Sequence, residues 1–134
     1  MSHRSTFPIA LLILVVLAAC KEDKVKGAID VPSGREVTLI DVITTAKGPA
    51  GATARFRFLV PGLTHADAET SVADMQALCE SYALPRTDGT VPTPQQIVIS
   101  LSSEVVPFGE AAPEVVQFFE AYSLEGGACL WQPF

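Results

Sequence analysis

Residues 115–132 read VVQFFEAYSLEGGACLWQ, two apolar runs divided by Gly126-Gly127. Glycine reaches positive φ without steric cost, and the tightest hairpin turns require positive φ at both central positions. The pair predicts a two-residue hairpin, and the turn fixes a register: Glu125 opposite Ala128, Leu124 opposite Cys129, Ser123 opposite Leu130, and Tyr122 opposite Trp131. Tyr122, Leu124, Cys129 and Trp131 then share one face, which is apolar enough to be the core side. Phe119, Ser123 and Leu130 point the other way.

Working back from this hairpin, Gln96–Ser102 (QIVISLS) alternates with Ile97, Ile99 and Leu101 on one side and reads as a strand. Val37–Thr45 (VTLIDVITT) is rich in β-branched residues. Ala54–Val60 places Phe56, Phe58 and Val60 on one face and Arg55 and Arg57 on the other, so the two runs form a hairpin across the Gly-rich GPAGA. Between the strand groups, Asp67–Ala83 carries Val72, Met75, Leu78 with Cys79, and Tyr82 at helical spacing. Thr64 or Asp67 can cap its start and Pro85 can stop it. The order is ββαβββ, which predicts an α+β domain with a single helix packed on a mainly antiparallel sheet.

The amino terminus carries an address. Ile9–Cys20 (IALLILVVLAAC) is an uncharged apolar run behind Arg4, too short to cross a bilayer, where a helix needs roughly 20 apolar residues. It has the proportions of a secretory signal. Leu17-Ala18-Ala19-Cys20 resembles the lipobox of bacterial lipoproteins, in which the thiol is acylated and the chain is cut just before it. That resemblance implies a signal peptide over 1–19, a lipidated Cys20 with a polar tether over 20–35, and a folded domain over 36–134. It also implies a chain tethered to the bilayer of the bacterial cell envelope, at the outer membrane, facing the periplasm or the surface.

Of the three cysteines, subtracting Cys20 leaves two. Cys79 lies on the apolar face of the helix and Cys129 on the apolar face of the last hairpin. Two independent periodicities thus aim both thiols into one core, and in an oxidising compartment they should form a disulfide.

The chain of 134 residues is 49% hydrophobic and 18% charged, outside the range of disordered tails. Its net charge of -6 would repel a phosphate backbone and argues against nucleic acid as a partner. Catalytic chemistry is scarce. His65 is the only histidine after the signal segment. His65-x-Asp67-x-Glu69 splays around a helix start rather than converging, no GxSxG elbow is present, and GPAGA lacks the features of a phosphate loop. No catalytic residue, metal ligand or cofactor is therefore assigned.

Taken together, VPSGREVTLIDV, RFRFLVP, DMQALCESYALP and QFFEAYSLEGGACLWQPF resemble a family of small uncharacterised proteobacterial lipoproteins with a domain of unknown function, a resemblance that implies no activity. The expected function is an interaction or assembly module with an envelope protein as partner. A small-molecule-binding or minor catalytic domain using His65 or Glu120 is the alternative. One helix covers one side of a sheet, so the docking face is expected on the other, at Arg55, Arg57, Phe119 and Leu130, unless a loop such as Arg86–Pro94 folds over it.

Overall fold

The computed structural model describes residues 25–48 and 51–134. The expected signal peptide over 1–19 and the expected lipidation at Cys20 lie outside the described residues. Five strands, β1 (Thr38–Ile43), β2 (Thr53–Leu59), β3 (Gln96–Ser102), β4 (Gln117–Glu125) and β5 (Ala128–Gln132), form one sheet in sequential order. β2 and β3 are parallel, because the helix α1 (Ala68–Leu78) carries the chain across one face between them, and the other neighbours are antiparallel. The α+β fold with a single helix on a mainly antiparallel sheet is the one the sequence predicts.

The terminal hairpin has the predicted register, from Glu125 opposite Ala128 to Tyr122 opposite Trp131. Gly126 and Gly127 adopt φ of 60° and 76°, the conformation that made the pair informative. Phe56, Phe58, Ile97, Ile99, Leu101 and Tyr122 project to the helix side and are buried against Met75, Leu78 and Ala83. The Tyr82 ring meets Phe56 and Phe58 edge-on at 6.3 and 5.5 Å. Cys79 and Cys129 are joined as a disulfide with their Cα atoms 6.2 Å apart, which locks the end of α1 to β5.

The helix differs from its expected phase and end. Val72 is 48% exposed, whereas Ser71 and Asp74 are buried beside Met75 and Leu78. A buried carboxylate must be satisfied, and Asp74, 2% exposed, accepts hydrogen bonds from the Ser33 amide at 2.9 Å and from the Ser33 hydroxyl. Nor does Pro85 stop the helix. The backbone widens into a π turn over Cys79–Ala83 and continues as Leu84–Arg86, so the wider turn carries the helix past Pro85.

The packed domain also begins upstream of Glu36. The Ile29 amide donates to the Val37 carbonyl at 2.8 Å, Ile29 and Val31 pack against the core, and Arg35 pairs with Asp67. Part of the segment read as tether is therefore a strap bound across the helix start. Trp131 lies on the helix side of β5 but is exposed, because β5 is the edge strand. Gln76 reaches from the helix only as far as the Cys129 carbonyl, at 3.0 Å.

Candidate docking groove on the helix-free face

Alternation along three strands builds the opposite face. β2 contributes Arg55 and Arg57, β3 contributes Val98 and Ser100, and β4 contributes Gln117 and Phe119. The connection from β3 to β4 rises beside them, and Val106–Ala111 forms one wall of an open cavity of about 380 Å³. An adjoining depression of about 300 Å³ is lined by Arg55, Val98, Phe119 and Phe134. The two share Arg55, Val98 and Phe119, so together they make one trough across the sheet. Phe119 is 51% exposed in it, and Val98 and Ser100 form a buried floor.

The two arginines have different tasks. Arg57, its side chain 12% exposed, donates from Nη1 to Asp41 Oδ2 at 2.8 Å and from Nη2 to the Val106 carbonyl, and its guanidinium lies 5.7 Å from the Phe108 ring centre. It is a pillar that fixes the wall to the sheet. Arg55 donates from Nη1 to the Ala46 carbonyl at 2.7 Å, and no carboxylate pairs with it among the described residues. Its other donors have no hydrogen-bond partner among the described residues.

Arg55, Arg57 and Phe119 are thus brought together as expected, while Leu130 flanks them on the same face, opposite Ser123, without lining either cavity. The Arg86–Pro94 loop does not cover the face: Thr90–Pro94 shares a small cavity with Thr44 and Ala52 instead. Val98, Ser100 and Gln117 follow from the same alternation that places Ile97 and Ile99 inward. The wall at Val106–Ala111 has no such signal, since Pro107-Phe108-Gly109 marks only an irregular segment.

His65 and Glu120 line neither cavity. His65 is exposed on a 3-10 turn, and its neighbour Asp67 is engaged by the Thr64 amide at 2.8 Å and by Arg35. Those contacts, the Thr64 amide first, hold the Asp67 carboxyl below its ordinary range. Glu120 accepts the Trp131 indole N–H. Burial, reinforced by the charges of Glu120 and Glu80, pushes the Tyr122 phenol well above its ordinary value. No group of three or more His, Cys, Asp or Glu side chains placed to hold a metal ion occurs among the described residues.

Comparison with known proteins returns one relationship. The model of a family of unknown function (DUF6497) matches residues 12–134. No curated protein and no solved structure matches the chain.

Proposed function

The chain belongs to the DUF6497 family, and we propose that it is a lipid-anchored protein of the bacterial envelope, tethered through acylated Cys20, whose folded domain docks a partner on the helix-free face of the sheet. One observation carries this reading. The face opposite α1 holds an open trough in which half-exposed Phe119 lies beside Arg55, a cation without a carboxylate among the described residues. Contiguous exposed apolar surface beside an unpaired guanidinium has the composition of a binding surface, and Leu130 extends it along β5. No observation favours the alternative built on His65 or Glu120, whose side chains are outside the trough.

Hydroxyl-radical footprinting of the full chain in intact envelopes and after purification tests the reading. Phe119 and Leu130 should be protected in the envelope and labelled once purified, while Val72 and Trp131, on the helix side, label equally in both. Equal labelling of Phe119 and Leu130 in the two states would overturn it. For the anchor, Cys20→Ala should abolish acylation and the protein should no longer sediment with membranes; membrane retention without an acyl group would remove that part of the proposal.

A further inference from the structure

Building on the docking reading, we infer that the occupant of the trough is a single-chain amphiphile bearing a carboxylate, its anionic group on Arg55 and its hydrocarbon on Val98, Phe119 and Phe108. The first support is the distribution of charge. Arg35 is neutralised by Asp67 and Arg57 by Asp41, and Arg86 lies over the Tyr82 ring at 3.6 Å. Arg55 is half-buried beside the apolar Val98 floor, and its one hydrogen-bond partner among the described residues is the Ala46 carbonyl. An anion placed there gains more than it would in bulk water, because the neighbouring hydrocarbon lowers the local dielectric.

The second support is the company Arg55 keeps. The depression at its end is lined otherwise by Val98, Phe119 and Phe134, with no carboxylate side chain. The acidic Glu110 is on the exposed wall of the other cavity. Arg55 is the only charged side chain lining this end of the trough, set among apolar ones, which favours an anionic amphiphile over a neutral or cationic one.

Size is the third. The cavities of about 380 and 300 Å³ share three lining residues, and each by itself reaches the lower end of the range for small-molecule pockets. The Arg57 contacts to Asp41, Val106 and Phe108 hold its wall in place before anything binds, so little ordering is required on entry.

Membranes containing the full chain, irradiated with a medium-chain fatty acid carrying a diazirine, test this against the matching alcohol and alkylammonium probes. The carboxylate probe should label peptides 96–102 and 117–125, and unlabelled decanoate should compete. Arg55→Gln should lower labelling about tenfold, the loss expected for one charge-assisted contact. Arg55→Lys should retain most of it, and Lys47→Gln should change nothing. Migration on non-reducing gels, which reads the Cys79–Cys129 link, confirms that each variant folds. Equal labelling by alcohol and alkylammonium probes would overturn the inference and leave the docking reading standing. So would absence of labelling while Phe119 and Leu130 remain protected in the envelope, since another occupant, such as a protein segment, would then fill the face. Absence of both labelling and protection would overturn the two together.

Discussion

Asp41 meets Arg57 because β1 carries one extra residue. Leu39 pairs with Phe58 and Asp41 with Arg57, and the irregularity between them absorbs Ile40. In an unbroken register Ile40 would oppose Arg57, and Asp41 would turn to the helix side against Phe56. The bulge swings the carboxylate onto the helix-free face, where the pair fixes Arg57 and, through it, the Val106 carbonyl and the Phe108 ring.

Arg57→Ala should therefore loosen the wall of the trough more than it weakens the sheet. Loss of the charged donor to the Val106 carbonyl and of the Phe108 contact should cost about 1–3 kcal/mol. Asp41→Asn should cost less, about 1 kcal/mol at most, since the Asp41 side chain is 40% exposed and the pair is partly screened. Urea denaturation gives the energies. Hydrogen exchange should rise in 103–111 for Arg57→Ala; unchanged protection there would show that the wall stands by itself.

The Cys79–Cys129 link closes a separation of 50 residues. On the chain-entropy account its loss should lower stability by up to about 4 kcal/mol. Cys79→Ala with Cys129→Ala, both at buried positions, adds a small packing loss. The denaturation midpoint with and without reductant measures the effect, and indifference to reductant would show that the helix needs no staple on β5.

Asp74→Ala should release the strap. The substitution removes two hydrogen bonds from Ser33 to a buried carboxylate and should destabilise by about 2–4 kcal/mol. Ser33→Ala removes only the hydroxyl contact and should cost less. Limited proteolysis should find a new cleavage site between Ile29 and Glu36 in Asp74→Ala. Resistance equal to the parent would mean that Ile29 and Val31 hold the strap without the polar latch.

Two groups set opposite pH limits. Asp67 is depressed in the folded chain, so its stabilisation is present above the ordinary carboxylate value, about 4, and is lost as pH falls through the lower folded value. Tyr122 is raised, so above about pH 10 the unfolded chain releases the phenolic proton first and stability declines as pH rises further. In a Tyr82→Phe background Tyr122 is the only tyrosine, and its ultraviolet absorbance should report ionisation that coincides with unfolding. Ionisation near pH 10 in the folded protein would contradict the assigned burial effect.

What the sequence reveals is whatever a local pattern encodes. Gly126-Gly127 sets the hairpin register, and alternation sorts Phe56 and Phe58 from Arg55 and Arg57. Both cysteines lie where their separate periodicities place them. The missed features depend on distant partners. Burial of Asp74 in place of Val72 needs Ser33, 41 residues upstream, and no helical periodicity carries that information. Nor does any local signal mark the bulge at Ile40, since VTLIDVITT reads as an unbroken strand until its pairing with β2 is known. The site divides the same way. Arg55, Arg57 and Phe119 are legible from strand alternation, while the wall at Val106–Ala111 is located only by the reach of Arg57 across the sheet.

The strap also sets the length of a leash. The chain is bound from Ile29 onward, with the Ser33–Asp74 latch behind it, so on the proposed anchor nine residue steps separate Cys20 from the first bound residue. A chain of nine residues spans at most about 30 Å, about the width of a domain of this size. On the proposed anchor the domain is thus confined to the layer of water next to the headgroups, and an amphiphile leaving the bilayer would meet the trough without crossing open solvent. Freeing the strap would lengthen the leash before it unfolded the sheet.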